Sequence, residues 1–182
     1  MKTGLGLAAA MLMAGAGAEA QTPVSYVEDG RALFTVEVPD FWSVRTGGSR
    51  RIAPSDGAVP ADVPRVLALQ PTVDEGAWLG FISPPGVVGD LAEARGYLGQ
   101  LGRFLALEAR TAEPVSRRIG GRPAEVFAGR GRRDGRALQF TVAAIDLPGG
   151  RVAIAAAVLE AGVDPAFAEV LNGVFASFRA AR

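Results

Sequence analysis

Turn signals divide the C-terminal part of the chain, from Val115 to Arg182, into short runs that alternate apolar and polar residues. The turns fall at Gly120-Gly121, at Asp134-Gly135 and at Pro148-Gly149-Gly150, and such residues favour tight hairpin turns. Alternation with a period of two is typical of strands with one buried face. The pattern predicts four consecutive antiparallel strands, at residues 115–119, 122–131, 136–146 and 151–160.

A helix is expected after these strands. Asp164 is placed to cap it, and Pro165 suits its first position. Large apolar residues then recur at spacings of three and four and form one stripe. They are Phe167, Val170, Leu171, Val174, Phe175 and Phe178. So wide a stripe must be buried, and the nearest surface for it is the sheet just upstream.

The first half of the mature chain shows weaker versions of the same patterns. Phe34, Val36 and Val38 alternate with polar residues and predict a strand that Pro39 ends. Two further short strands are expected at residues 66–69 and 78–82, and a helix that Asp90 caps should carry Leu91, Leu98, Leu101 and Leu105 on one side. Residues 21–25 are interpreted as a loose leader, and the glycine- and proline-rich residues from Thr46 to Pro64 as a long loop.

The last predicted strand decides the fold class. Its Val152, Ile154 and Val158 alternate with alanines, so both of its faces are apolar. Such a strand belongs in the middle of a sheet, with material covering each face, and two helices are available to cover it. The sequence therefore predicts an α+β fold in which an antiparallel sheet is sandwiched by helices, an α/β/α sandwich. The alternative is a cystatin-like curved sheet with a helix.

The N-terminus has the features of a secretory signal peptide. Lys2 provides a positive charge, residues 5–16 are apolar and uncharged, and Ala18 and Ala20 are the small residues that signal peptidase recognises. We expect cleavage between Ala20 and Gln21, which leaves residues 21–182 as one domain in the periplasm or outside the cell. The apolar run is too short to span a bilayer, and no later segment predicts a transmembrane helix.

Composition narrows the range of possible chemistry. The chain has no histidine and no cysteine, which excludes Ser-His-Asp triads, Cys-His dyads and zinc sites built from those residues. The acidic residues form no recognisable catalytic or calcium-binding signature, so the sequence predicts no enzyme, no metal and no cofactor. A formal net charge of zero argues against binding to nucleic acid.

Two sets of residues are candidates for a binding site. Seven arginines surround two predicted hairpin turns: Arg117, Arg118, Arg122, Arg130, Arg132, Arg133 and Arg136. They could bind anions or an acidic partner, although charged strand edges also serve simply to prevent aggregation. Phe41 and Trp42 directly follow the first strand, where they either close the end of the core or form a recognition surface.

The phrase Phe34-Thr35-Val36-Glu37-Val38-Pro39, followed by Trp42, resembles the opening strand of PsbP-like domains. The ending Phe175-Ala176-Ser177-Phe178-Arg179 is similar to the closing helix of that family, which includes the extrinsic subunit of photosystem II, the Ran-binding Mog protein and many exported bacterial proteins. The resemblance implies an α/β/α sandwich that acts as a non-catalytic binding module. Metal-binding histidines of some plant members have no counterpart here.

The sequence thus favours an exported, soluble, non-catalytic binding or accessory protein, whose partner is expected to be another envelope protein. Two alternatives remain open at this stage. One is a carboxylate-based hydrolase of envelope glycans or small esters, and the other is a carrier of anions or lipids that uses the arginines.

Overall fold

The computed structural model describes residues 20–47, 50–52, 61–63, 65–84 and 91–182. Within these residues the chain forms thirteen strands and two helices. The strands are β1 Gln21–Glu28, β2 Arg31–Pro39, β3 Trp42–Thr46, β4 Arg50–Ile52, β5 Ala61–Val63, β6 Leu67–Pro71, β7 Ala77–Ile82, β8 Leu107–Thr111, β9 Val115–Ile119, β10 Arg122–Arg133, β11 Arg136–Leu147, β12 Arg151–Glu160 and β13 Arg179–Ala180. The helices are α1 Leu91–Leu105 and α2 Ala166–Ser177.

Eight strands form one large antiparallel sheet, in the order β3-β6-β7-β12-β11-β10-β8 with β9 also pairing with β10. The long strand β10 pairs with β9 through its first residues and with β8 through its last ones. A small sheet has the order β1-β2-β13, and β4 pairs with β5. The predicted C-terminal hairpins and the final helix are confirmed, since β9, β10, β11, β12 and α2 follow one another with bounds within two residues of those expected.

Strand β12 lies in the interior of the large sheet, between β7 and β11. Its alanines, such as Ala153 and Ala155, are fully buried on one face, and Val152, Ile154 and Val158 are buried on the other. Small and β-branched residues allow both faces to be covered closely. The central position that the sequence predicted for this strand is confirmed.

The two faces of the large sheet are covered by different kinds of structure. On one face, α1 packs Ala94, Leu98 and Leu105 into a core with Phe127 and Phe140. On the other face, the covering layer contains the small sheet as well as α2. Its strand β2 provides residues that are at most 1% exposed, namely Phe34, Val36 and Val38.

The prediction of a sheet sandwiched by helices is therefore wrong. The structure consists mostly of antiparallel strands in two main sheets, with two helices among the described residues. The arrangement also differs from the alternative of a single curved sheet. The reason is that β2 pairs with β1 and β13 and so belongs to a separate small sheet. The sequence pattern predicts neither of these two partner strands.

An aromatic cluster joins the small sheet to the rest of the core. The ring of Phe34 lies 4.9 Å from Tyr26, 5.0 Å from Phe178 and 5.6 Å from Phe81, measured between centroids. These residues come from β2, β1, the end of α2 and β7. Because each ring buries a large apolar area, the cluster is expected to contribute much of the stability of this layer.

Three local predictions need correction. Residues 21–25 are not a loose leader, because β1 pairs with β2 from Gln21 to Glu28. The segment from Thr46 to Pro64 contains the hairpin of β4 and β5, and its residues 48–49, 53–60 and 64 lie outside the described residues, as does the predicted helix cap Asp90. The final helix begins one residue later than expected, with Pro165 at its N-cap, and Asp164 Oδ1 accepts a hydrogen bond from the Ala166 N–H.

Helix α1 is tied to the large sheet by a buried carboxylate. Glu125 on β10 is 6% exposed. It accepts a hydrogen bond of 2.7 Å from the Ser116 hydroxyl and lies 3.1 Å from a guanidinium nitrogen of Arg95 on α1. The Ser116 hydrogen bond, opposed by burial and assisted by Arg95, holds the pKa of Glu125 below its ordinary value.

This arrangement predicts a specific loss of stability in acid. A carboxyl group whose pKa is lower in the folded state stabilises the protein above its unfolded pKa, and that contribution disappears as the pH falls through the folded pKa. We expect Glu125→Gln to lower the free energy of unfolding near neutral pH, and the difference from the wild type to shrink as the pH falls through the lowered pKa of the folded Glu125 carboxyl group. Urea unfolding of both proteins at a series of pH values measures this difference in the free energy of unfolding. Glu169→Gln, which removes an exposed carboxylate from α2, is the control, and a difference that did not change with pH would contradict the assignment.

Candidate functional site

Among the described residues, the part of the large sheet around Ala137 and Gln139 is covered on only one of its faces. In β11, Leu138, Phe140 and Val142 face α1 and are buried. The alternate residues Ala137 and Gln139 are exposed. The small sheet and α2 cover β7 and β12 but leave this part of β10 and β11 open on their side. A groove therefore runs between α2 and the exposed face of these strands.

We call this feature the α2 groove. It consists of two adjoining cavities of about 590 Å³ and 400 Å³, each within the range of small-molecule sites. The two cavities share three lining residues, Gln139, Leu159 and Ala168, so they form one continuous depression along α2. Its two ends differ in chemistry.

The apolar end of the α2 groove is the smaller cavity. Leu171 and Phe175 of α2 line it on one side. Ile119, Val126 and Ala143 line it from the sheet. All five belong to, or pack against, the hydrophobic core between the sheet and α2. This end of the groove therefore presents apolar surface that is continuous with the core.

The arginine end of the α2 groove is the larger cavity, and Arg110, Arg130 and Arg132 line it. Arg110 on β8 is paired directly opposite Arg130 on β10, and all three side chains are exposed. Like charges directly opposite each other on neighbouring strands destabilise a sheet. The fold thus places two arginines at directly opposed strand positions at one end of the groove, where an anion would relieve the repulsion between their charges.

Three carboxylates also line the arginine end, and two of them have partners. Glu160 lies 3.2 Å from Arg136. Asp164 accepts the hydrogen bond from Ala166 at the start of α2. Glu108 on β8 is exposed. A backbone N–H does not neutralise the Asp164 carboxylate, so with Arg136 included this end of the groove has four arginines against three carboxylates, a formal charge of +1.

The seven arginines predicted from the sequence do not come together. Arg117, Arg118 and Arg122 lie near the β9–β10 turn, whereas the other four lie near the β10–β11 turn. These turns are at opposite ends of β10, about 36 Å apart for twelve residues of extended strand. The structure therefore contains two separate groups of arginines.

The arginines at the β9–β10 turn contact nearby backbone and one carboxylate. Arg122 is ion-paired with Asp146 on β11 and donates a hydrogen bond of 3.0 Å to the Asp146 carbonyl. Arg118 donates to the Gly121 carbonyl at 2.8 Å, and Arg117 to the Ser116 carbonyl at 3.2 Å. These contacts are typical of residues that stabilise a hairpin.

Only part of the group at the β10–β11 turn faces the α2 groove. Arg133 lies on the α1 side, where it donates to the Leu105 carbonyl at 2.6 Å and stacks 5.7 Å from the ring centroid of Trp78. Arg136 pairs with Glu160. Arg130 and Arg132 line the groove, so they are the two predicted residues that belong to this site.

The two candidate aromatics are placed differently. Trp42 is 5% exposed and packs edge-on against Phe167 of α2, with 6.2 Å between ring centroids. Its indole N–H has no hydrogen-bond partner among the described residues. Phe41 is 38% exposed. Trp42 thus closes the core, and Phe41 is the more accessible of the two.

The glycines in Gly129-Arg130-Gly131 have a packing role. A Cβ atom at Gly129 would overlap the ring of Phe140, its partner on β11. At Gly131 it would lie 2.5 Å from the Ala106 Cβ and 2.7 Å from the Leu107 carbonyl oxygen. These glycines therefore let Phe140 and β8 approach β10 closely, which places Arg110 opposite Arg130.

Sequence reasoning missed the residues that complete the groove. The sequence pattern predicts that the first helix continues to Glu113-Pro114, so Arg110 is not expected on a strand, and Ala168 has no signal of its own. The alternation in β11 was informative, because its polar positions Gln139 and Thr141 fall on the side that α2 was expected to cover. Such polar residues indicate a face that is left partly open.

Comparison with known proteins supports the fold. No family model matches the sequence, and no curated protein sequence matches it. Solved structures do match. The cyanobacterial PsbP of Synechocystis has a TM-score of 0.54 and 15% identity over 92% of this chain and 96% of that chain. The fold of the present chain is therefore PsbP-like.

Two other solved structures are similar to this chain. LpqN of Mycobacterium tuberculosis, which is described as involved in cell envelope biogenesis, has a TM-score of 0.50 and 15% identity over 90% of this chain and 91% of LpqN. A protein of Bacteroides thetaiotaomicron has a TM-score of 0.54 and 11% identity over 82% of this chain. This chain spans 46% of the Bacteroides protein. At these identities the likeness shows the PsbP-like fold alone.

The helices and the acidic side chains bear on membrane and metal binding. Neither helix in the described part of the chain has the length and apolar character needed to cross a bilayer. Across the described ranges, no group of three or more acidic, histidine or cysteine side chains is arranged to hold a metal ion.

Proposed function

We propose that this chain is an exported, non-catalytic protein of the cell envelope that binds a ligand in the α2 groove. The observation that carries this proposal is the continuous groove with an apolar end and an arginine end. Pockets that combine apolar walls with a few placed polar groups are the usual binding sites of proteins. The PsbP-like fold and the envelope role ascribed to LpqN are consistent with it.

Export is supported by the position of the first strand. The predicted signal peptide ends at Ala20, and β1 begins at Gln21. The domain that we propose to be functional, residues 21–182, therefore starts with a strand that pairs with β2 along its length. We also propose that the chain is a distant member of the PsbP-like family, on the basis of the fold and the opening and closing phrases of the sequence.

Binding is favoured over catalysis because two carboxylates in the groove already make contacts within the protein. A hydrolase of the kind considered above needs a pair of acids free to transfer protons. In the α2 groove, Glu160 is paired with Arg136, and Asp164 is engaged at the start of α2. These contacts suit structural roles. That the partner is another envelope protein stays a prediction. The groove is the more specific basis for an experiment.

The test compares molecules retained by the mature protein after export. A tagged full-length chain is produced in the periplasm and purified without detergent, and native mass spectrometry identifies its N-terminus and any bound small molecule. Ala168 lines both cavities of the groove, so Ala168→Trp should fill it. We expect a chain that begins at Gln21 and a bound molecule that this variant loses.

The matched control is Ala166→Trp, which makes the same change two residues away at an exposed position of α2. It should retain the molecule. Equal retention by all three proteins would contradict the groove as the binding site, and a chain that kept residues 1–20 in the cytoplasm would contradict export.

A further inference from the structure

We propose that the ligand of the α2 groove is an anionic amphiphile, a molecule with one negatively charged head group and a hydrocarbon chain. This inference rests on the proposed function of the groove and names the chemistry of its ligand. The head group would lie at Arg110, Arg130 and Arg132, and the chain would extend along α2 toward Phe175.

The arginine end suits a carboxylate or phosphate head group. Arg110 and Arg130 present guanidinium groups from directly opposed positions on β8 and β10, and guanidinium groups bind such oxygens with paired, charge-assisted hydrogen bonds. Arg132 adds a third guanidinium, which also donates to the Gly135 carbonyl at 2.8 Å. Counted with Arg136, the arginines at this end exceed the carboxylates by one, four against three, which matches a singly charged head group.

The apolar end suits a hydrocarbon chain. Its walls are Ile119, Val126, Leu171 and Phe175, and its polar side chains, Gln139, Thr141 and Asn172, carry no charge. Along α2 the groove extends from Asp164 to Phe175, which corresponds to about 16 Å of helix axis. A small inorganic anion would leave this surface exposed, and an acidic peptide would place polar backbone against it at a cost.

The order of the two ends fixes the orientation of the ligand. The row Arg110, Arg130, Gln139 and Leu159 crosses four neighbouring strands in register, and polarity falls along it from β8 toward β12. Gln139 lies in both cavities and is the polar residue at the junction. It is placed to donate a hydrogen bond to the head group while the chain passes toward Leu171.

The experiment is a fluorescence displacement titration with delipidated mature protein. Cis-parinaric acid, a fluorescent fatty acid, is the probe, and dodecanoate, dodecan-1-ol, inorganic phosphate and a short glutamate-rich peptide are the competitors. We expect dodecanoate to displace the probe at least about tenfold more effectively than the neutral alcohol, since charge-assisted hydrogen bonds distinguish them. From octanoate to dodecanoate, affinity should rise by up to about fourfold per methylene that is buried.

Two variants separate the head-group site from the chain site. The double variant Arg110→Gln with Arg130→Gln should lower the affinity for dodecanoate about tenfold or more and leave the affinity for dodecan-1-ol unchanged. Arg117→Gln with Arg118→Gln makes the same change in net charge at the far end of β10 and should leave both unchanged. Ala168→Trp should lower the affinity for both dodecanoate and dodecan-1-ol, whereas Ala166→Trp should change neither affinity. Thermal unfolding of each variant verifies that it is folded.

Several results would overturn the inference. Phosphate or the acidic peptide competing as well as dodecanoate would remove the requirement for a hydrocarbon chain. Dodecanoate binding that did not depend on Arg110 and Arg130 would remove the head-group site. If dodecanoate fails to bind but Ala168→Trp still loses a molecule acquired in the periplasm, this inference is wrong and the proposed function stands. If no molecule depends on Ala168, both are wrong.

Discussion

Replacing Phe34 with alanine is expected to lower the free energy of unfolding by about 3–5 kcal/mol. Phe34 is fully buried, and its ring packs against Tyr26, Phe81 and Phe178 with centroids 4.9–5.6 Å apart. Removal of the ring leaves a cavity where β1, β2, β7 and the end of α2 meet. Because those elements come from distant parts of the chain, the cavity cannot be closed by a local adjustment.

The measurement is urea or thermal unfolding of the variant beside the wild type. Phe41→Ala is the matched control, since it removes the same side chain from a position that is 38% exposed and should cost no more than about 1 kcal/mol. A similar loss for the two variants would show that the aromatic cluster does not join the layers.

A second large effect is expected at the β9–β10 turn. Gly120 has a positive φ of 56°, and a Cβ atom there would overlap the carbonyl oxygen of Phe178 and lie 2.9 Å from its carbonyl carbon. Gly120→Ala therefore combines backbone strain with a clash against the chain just after α2. We expect a loss of about 3 kcal/mol or more in the free energy of unfolding.

Gly121→Ala distinguishes the two contributions. Gly121 also has a positive φ, of 78°, but a Cβ atom at that position has no neighbour within 4 Å. This variant should show the strain alone, about 1–2 kcal/mol. Urea unfolding measures both variants, and equal losses would mean that the contact between the turn and Phe178 has no energetic consequence.

The sequence predicted the elements whose signals are local. The turns around Gly120, Asp134 and Gly149 occur between strands that pair with their neighbours in the chain, so each hairpin could be recognised on its own. Helix α2 was equally clear, because its apolar stripe repeats at helical spacing. The buried positions Leu171 and Val174 confirm that face.

The layers could not be predicted because they depend on pairings between distant residues. Strand β13 has two residues and pairs with β2 through Arg179 and Ala180, which no local pattern indicates. Strand β1 contains Pro23 and has exposed residues in its first half, features that are typical of an irregular N-terminal segment rather than of a strand. Without these two strands, the small sheet could not be distinguished from part of the large one.

The candidate site was predicted only in part for the same reason. Arg130 and Arg132 were identified by their position near a turn, but their relation to Arg110 depends on the register between β8 and β10. The separation of the seven arginines into two groups follows from the length of β10, since its two turns lie at opposite ends of a twelve-residue strand. A cluster along the sequence was thus two clusters in space.

The most direct test of the central claim, that the α2 groove binds an anionic amphiphile, is a map of amide chemical shifts. Dodecanoate is titrated into the isotopically labelled mature protein, and the perturbed amides are assigned. The account predicts changes at Arg110, Arg130, Gln139 and Ala168 and along the groove side of α2, with the β1–β2 turn around Asp29 unaffected. Changes centred on α1 or on that turn, or none at saturating dodecanoate, would contradict it.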